Sequence, residues 1–136
     1  LKQYVGQINA AANTNSGISE QYRCFMDLAG HAIMSYNRLG GQNLHWSTAS
    51  ALHQRTLLAM LPTYETLIAT GIDTGKASNP LNLSARDLAS FLLGGVSGIL
   101  HQKPMIEMTR DEFEEKRKAV TALIARTLGI EEEELK

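Results

Sequence analysis

The sequence of 136 residues contains one cysteine, Cys24, three prolines, and few aromatic side chains, which make up 6% of it. A lone cysteine excludes an intramolecular disulfide and a cysteine metal cluster, so we expect a reducing, cytoplasmic environment. The scarcity of proline disfavours a β-sandwich or barrel, because those folds need frequent turns. No run of about 18 apolar residues occurs and no signal-peptide pattern is present, so we expect no membrane partner.

Charge is also scarce, and it is unevenly distributed. The net charge is -1, and no cluster of basic residues forms the kind of face that neutralises nucleic-acid phosphates. Residues 1–70 carry seven charged side chains, whereas residues 109–136 carry fourteen. Hydrophobic residues nevertheless make up 43% of the chain, which is enough for a core. We therefore expect the first half to face other protein, a cavity or a partner rather than water.

Apolar residues recur at three- and four-residue steps along most of the chain, and no segment alternates with the period of a strand. The pattern predicts an all-α fold, a bundle of five to six helices. The helical segments are Leu1–Asn13, Ser19–Leu39, about Ala51–Thr70, Ser84 to Lys103-Pro104, and Thr109–Leu128. Asn43–Ser50 is predicted as a short helix or an irregular bridge.

Several residues mark the predicted helix starts. Ser84 with Asp87, and Thr109 with Glu112, have the spacing of a capping box, in which a hydroxyl accepts a hydrogen bond from a backbone N–H three residues later. Ser19 is expected to be the N-cap of its helix. These positions predict where three of the helices begin.

Helix ends and one irregularity are also predicted. Gly40-Gly41 and Gly129 are expected to end helices, because glycine is favoured just after the last helical turn. Pro62 falls inside a predicted helix, where it removes one backbone hydrogen bond, so we expect a kink there. Gly94, Gly95 and Gly98 lie within another helix, although each lowers helix stability relative to alanine by up to ~1 kcal/mol.

The segment Arg55–Leu100, RTLLAMLPTYETLIATGIDTGKASNPLNLSARDLASFLLGGVSGIL, resembles the second half of the regulatory domain of the TetR family of bacterial transcriptional regulators. The resemblance lies in a long helix that ends in a Gly-x-x-x-Gly step, Gly71 to Gly75, then an extended link and a glycine-rich helix. A charged amphipathic helix, Asp111–Leu128, comes last, as in that family.

The resemblance implies a division of the chain at fixed boundaries. Residues 1–13 would be the end of the linker helix, residues 19–75 the helices around a pocket, and residues 84–129 the helices of a homodimer interface. In the family, an N-terminal helix-turn-helix head binds DNA. Because Leu1 to Ile8 already has the pattern of a helix interior, we expect that the chain was cut from a longer protein and that the head is missing from it.

Two groups of site residues are predicted on this basis. Apolar side chains on facing helices suit a small apolar or aromatic effector. The candidates for the ligand-binding pocket are Phe25, Met26, His31, Ile33, Tyr36, Trp46, Leu57, Met60 and Tyr64. The candidates for the dimer interface are Leu88, Phe91, Leu92, Gly95, Val120, Leu123 and Ile124. Each residue could instead belong to an ordinary core, since apolar stripes at helical spacing usually do.

No metal, cofactor or catalytic group is predicted. His31, His45, His53 and His101 include no pair at the i, i+3 or i, i+4 spacing that places two ligands on one helix face. Cys24 is expected to be a small buried residue rather than a redox sensor. The glycine-serine stretch at Gly94–Gly98 misses the Gly-x-Ser-x-Gly spacing by one residue and no strand precedes it. Two alternatives stay open beside the sensor: a helical protein-interaction adaptor, and a small all-α enzyme.

Overall fold

The computed structural model of the chain describes residues 17–38, 46–102 and 107–136, and of residues 32–38 and 46–53 it describes the backbone alone. Within these ranges the protein is all-α, as predicted, and contains no strand. The helices are α1 (Ile18–Arg38), α2 (Trp46–Asp73), α3 (Ala85–Leu100), α4 (Arg110–Leu128) and the short α5 (Glu132–Leu135). The predicted helix Leu1–Asn13 and the predicted stops at Gly40-Gly41 and Lys103-Pro104 lie outside the described residues.

Local capping fixes where α3 and α4 begin. The Ser84 side-chain oxygen accepts a hydrogen bond from the Asp87 backbone N–H at 3.0 Å. In the same way, Thr109 Oγ1 accepts from the Glu112 backbone N–H at 3.1 Å. Both N-caps satisfy backbone donors that the first turn of a helix leaves without a partner, and both confirm the prediction. Ser19 is different: α1 already begins at Ile18, so Ser19 lies inside the helix rather than at its cap.

The second helix is longer than the sequence indicates. It runs without interruption from Trp46 to Asp73, so the prediction of a separate helix or bridge over Asn43–Ser50 is wrong from Trp46 onward. The physical reason is that no glycine or proline occurs between Trp46 and Leu61 to break the helix. Pro62 does not break it either, and the Pro62 carbonyl accepts a hydrogen bond from Thr66 Oγ1 at 3.1 Å.

Two glycines in the left-handed conformation follow the ends of α2 and α4. Gly75 has φ +78°, and the next backbone N–H, that of Lys76, donates to the Gly71 carbonyl at 2.9 Å. Gly129 has φ +61°, as predicted for a helix end, and the N–H of Ile130 donates to the Ala125 carbonyl. These hydrogen bonds satisfy carbonyl groups of the last helical turn.

The core lies where the inner faces of the four long helices meet. The contact of α2 with α3 is the most extensive helix–helix contact in the described chain, and α4 packs against both α1 and α3. The side chains of Met26, Met108, Val120, Leu128 and Leu135 are almost completely shielded from solvent. Leu135 belongs to α5, which is held against α1 by a hydrogen bond from the Arg23 guanidinium to the Glu134 carbonyl. The C-terminal segment is therefore part of the packed structure.

Candidate functional site

A cavity lies among the four long helices, and it is about 60 Å³ in volume and partly open to solvent. Every helix from α1 to α4 contributes to its wall, and the atoms that face it are entirely apolar. None of the lining residues carries a charge. They are Ile18, Tyr22 and Phe25 of α1, Tyr64, Leu67 and Ile68 of α2, Ala89, Leu92, Leu93 and Val96 of α3, and Ile124 and Leu128 of α4.

Two aromatic rings join α1 to α2 at this cavity. The rings of Phe25 and Tyr64 meet edge to face, with centroids 5.7 Å apart and an interplanar angle of 75°. This arrangement is favourable because the positive edge of one ring meets the negative face of the other. Both rings are half-buried and both line the cavity.

The hydroxyl of Tyr22 is held by α4. Its oxygen lies 2.7 Å from Thr121 Oγ1 in a buried hydrogen bond. Burial raises the pKa of Tyr22 above its ordinary value of 10, against the opposing influence of the hydrogen bond with Thr121 and of the Arg117 guanidinium. The ring of Tyr22 therefore contributes apolar surface to the cavity, while its hydroxyl is already used within the protein.

The structure brings together only part of the predicted pocket. Phe25 and Tyr64 line the cavity. Met26 is 0% exposed and Met60 is 2% exposed, and neither lines the cavity, so both are core residues packed against other side chains. Leu57 packs against the core away from the cavity wall.

Four candidates for the predicted pocket remain. His31 is exposed on α1 and is not among the lining residues. The side chains of Ile33, Tyr36 and Trp46 lie outside the described residues. The contribution of α3 and α4 to the cavity wall was not predicted, because the apolar residues of those helices were assigned to a dimer interface. The stripe Ala89, Leu93 and Val96 has helical spacing and could have indicated a second, inward-facing surface on α3.

The predicted dimer face divides into buried and exposed residues. Leu88, Val120 and Ile124 lie in the core of the subunit, and Leu92 lines the cavity, so these four face inward rather than toward a partner. The reason is that α3 and α4 must cover the bundle with their apolar stripes before any partner is present. Phe91, Leu123 and Gly95 remain exposed.

The outer face of α3 is uncharged over most of its length. Phe91 is 71% exposed, and Gly94, Gly95 and Gly98 lie three, four and seven residues further along, on the same side of the helix. A methyl group added at any of the three glycines would meet no atom within 4 Å. Packing within the described chain therefore gives no reason for glycine at these positions.

The other reactive side chains that the structure describes do not converge. Within the described part of the chain, no group of three His, Cys, Asp or Glu residues could hold a metal ion. His101 lies at the end of α3, where its Nδ1 is 2.9 Å from the Ser97 carbonyl oxygen. His45 and the side chain of His53 lie outside the described residues, and Cys24 is a half-buried free thiol.

Among the described helices, none combines the length and apolar character that crossing a membrane requires. Comparison with protein-family models, with curated proteins and with solved structures found no match.

Proposed function

We propose that this chain is the effector-binding and dimerisation region of a bacterial TetR-like transcriptional repressor. The observation that carries the proposal is the double role of α3. Its inner face, with Ala89, Leu93 and Val96, lines the cavity, and its outer face, with Phe91 and the glycines, is uncharged and exposed. One helix therefore connects a site for a small molecule with a surface for a second subunit.

The shape of the outer face supports a second copy of the chain as its partner. Three glycines inside a helix each lower its stability by up to ~1 kcal/mol relative to alanine, so a close approach of another backbone would explain them. In an antiparallel pair of α3 helices with the two-fold axis between Gly94 and Gly95, Phe91 of each copy would lie opposite Gly98 of the other. A two-fold interface requires this kind of self-complementary surface, in which a projecting ring meets a position without a side chain.

Leu123 of α4 is a second large apolar side chain that lies exposed on these two helices. It is 54% exposed, and Lys116, seven residues before it on the same side of α4, donates a hydrogen bond to Gln102 at the end of α3. This hydrogen bond joins the first half of α4 to the residues that directly follow α3. An interface built from both helices agrees with the four-helix arrangement that the family resemblance implies.

The mechanism that follows is a shift of population between two conformations. An effector bound among the helices would favour a conformation in which the two DNA-binding heads no longer match adjacent half-sites. It can do so only to the extent that it binds this conformation more tightly than the DNA-bound one. Residues 1–13 would connect the pocket to the head. In the full-length regulator, an effector that leaves the affinity for operator DNA unchanged would contradict this mechanism.

Self-association of the chain tests the proposal directly. In sedimentation equilibrium we expect a dimer for the wild-type chain. Phe91→Glu and Leu123→Glu should convert it to a monomer, because each buries a carboxylate without a partner in the interface. Leu81→Glu is the matched control: Leu81 is 75% exposed but lies in the link before α3, so its replacement should leave the dimer intact. A wild-type monomer, or equal effects of all three variants, would contradict the proposal.

The structure favours this function over the two alternatives. An adaptor that binds proteins through its first helices would present Phe25 and Met26 to solvent, whereas Met26 is fully buried and Phe25 packs on Tyr64. An enzyme would need polar side chains that converge on its pocket, whereas the wall of this cavity is apolar.

A further inference from the structure

We infer that the cavity takes the end of an aliphatic chain, a compact group without charge or hydrogen-bonding atoms, and that any polar part of the ligand stays outside. The inference rests on the proposed function, since it treats the cavity as the effector site. Three observations point to one chemical class of ligand: the chemistry of the cavity wall, the volume of the cavity and its partial opening to solvent.

The wall offers a ligand no hydrogen bond. Two lining residues have a hydroxyl group: that of Tyr22 is bonded to Thr121 at 2.7 Å, and Tyr64 turns only apolar atoms to the cavity. The surface that faces the cavity is apolar throughout, and no lining residue is charged. A ligand hydroxyl placed here would lose its bonds to water and gain none, which weakens binding roughly tenfold or more.

The volume limits the size of the buried group. An apolar cavity of about 150 Å³ can hold a whole benzene ring. The cavity here, at about 60 Å³, is less than half as large, so it accommodates on the order of two or three carbon atoms. A planar ring of six carbons would not be enclosed, whereas the terminal carbons of an alkyl chain would be.

The opening accounts for the rest of the ligand. Because the cavity is partly open to solvent, a longer molecule can place its apolar end inside and its polar group in water. The half-buried rings of Phe25 and Tyr64 line the cavity and would contact the chain where it leaves. Burial of each additional methylene group should then strengthen binding until the cavity is full.

The test compares 1-pentanol with 1,5-pentanediol, which have the same carbon chain but differ in one terminal hydroxyl. Binding to the wild-type chain is followed through the methyl resonances of Ile68, Leu93, Val96 and Ile124. We expect saturable shifts with 1-pentanol and at least tenfold weaker binding of the diol, because one of its hydroxyls would have to enter the apolar cavity. Benzyl alcohol should also bind more weakly than 1-pentanol.

Variants locate the binding. Ala89→Val and Val96→Ile add carbon atoms to the cavity wall and should weaken 1-pentanol binding several-fold. Ala122→Val, on the exposed side of α4, is the matched control and should not change it. Two variants are used so that a folding defect in one leaves the other informative, and xenon, a spherical apolar probe, should shift the same methyl groups in the wild type.

The outcomes separate the inference from the proposed function. Equal affinity for the alcohol and the diol, or tighter binding of benzyl alcohol, would overturn the aliphatic class while leaving the cavity as an effector site. Absence of shifts with xenon and with every alcohol would overturn both. Binding of 1-pentanol as expected, by a chain that remains monomeric in sedimentation, would support the ligand class and contradict the dimeric sensor.

Discussion

The hydroxyl oxygens of Tyr22 and Thr121 lie 2.7 Å apart inside the bundle, and this hydrogen bond joins α1 to α4 across 99 positions of sequence. Thr121 Oγ1 also lies 2.8 Å from the Arg117 carbonyl oxygen, to which it donates its single proton. Tyr22 must therefore be the donor in its bond to Thr121. Because of this direction, removal of the Tyr22 hydroxyl and removal of the Thr121 hydroxyl should lower the free energy of unfolding by different amounts.

Replacing Tyr22 by phenylalanine should lower the free energy of unfolding by about 0.5–1.5 kcal/mol, the usual net contribution of a hydrogen bond. Thr121 keeps its bond to the Arg117 carbonyl in this variant, so no buried donor is left without an acceptor. Thr121→Val should destabilise the chain more, by about 1–3 kcal/mol, because it leaves the buried Tyr22 hydroxyl without its acceptor. Urea unfolding at neutral pH measures the free energy of unfolding of both variants. Equal losses would contradict the assignment of Tyr22 as the hydrogen-bond donor.

The same tyrosine predicts a loss of stability in alkali. Burial raises the pKa of Tyr22 in the folded chain above the value of 10 that it has when exposed. The folded state therefore holds the phenolic proton more tightly, so the contribution of Tyr22 is fully present below pH 10 and is lost as the pH rises through the folded pKa. Between pH 9 and pH 11, the free energy of unfolding should fall less for Tyr22→Phe than for the wild type. If the two lose equal stability, Tyr22 is not the group responsible.

Two glycines in the same backbone conformation should respond differently to substitution. Gly75 and Gly129 both have positive φ, so alanine at either position costs about 1–2 kcal/mol in backbone strain. At Gly75 the added methyl group meets nothing within 4 Å. At Gly129 it would lie 1.9 Å from the Ser78 side-chain oxygen and 3.2 Å from Ser78 Cβ. Gly129→Ala should therefore lower the free energy of unfolding by at least about 1 kcal/mol more than Gly75→Ala does.

A second substitution isolates the steric part of that difference. In a Ser78→Ala background the nearest clashing atom is absent, so the extra cost of Gly129→Ala should fall, although the contact with the Cβ of residue 78 remains tight. Thermal unfolding of the wild type, the two single variants and the double variant gives the coupling between the two positions. Additive effects of Ser78→Ala and Gly129→Ala would show that the clash does not determine the cost.

Local sequence features predicted the elements, and their relative placement could not be predicted in the same way. The N-caps at Ser84 and Thr109 and the glycine at position 129 depend on interactions within a few residues, so the sequence contains the information that sets them. The continuation of α2 through Trp46–Ser50 was missed because the polar residues Ser47, Thr48 and Ser50 favour neither helix nor bridge strongly. Such a weak local preference is decided by tertiary packing.

The candidate site was harder to predict for a different reason. Helical periodicity identifies Met26 and Phe25 as apolar residues of one stripe, but only the positions of the other three helices decide that Met26 is enclosed while Phe25 borders a cavity. For α3 the difficulty is greater, because apolar residues occur around most of its circumference. Periodicity alone cannot determine whether Leu88 or Phe91 faces the interior of the subunit.

The glycines of α3 provide the most discriminating prediction about self-association. In the isolated subunit, Gly98→Ala should raise stability by up to about 1 kcal/mol, because alanine favours the helix and the new methyl group meets no atom within 4 Å. In the proposed dimer the same methyl group would occupy the space opposite Phe91 of the second copy. Gly98→Ala should therefore stabilise the monomer and weaken the dimer. At low protein concentration, where the chain is monomeric, the variant should unfold at a higher temperature than the wild type, and at high concentration this advantage should shrink or reverse.

Ser90→Ala is the matched control, because it also raises helix propensity at an exposed position of α3 but adds no bulk. It should stabilise the chain slightly and leave the dissociation constant unchanged. Thermal unfolding at low and high protein concentration, combined with sedimentation equilibrium, measures both quantities for each variant. If Gly98→Ala and Ser90→Ala leave the dissociation constant equally unaffected, close approach of two α3 helices is excluded as the reason for glycine at position 98. The self-complementary pairing of Phe91 with Gly98 would then have to be abandoned.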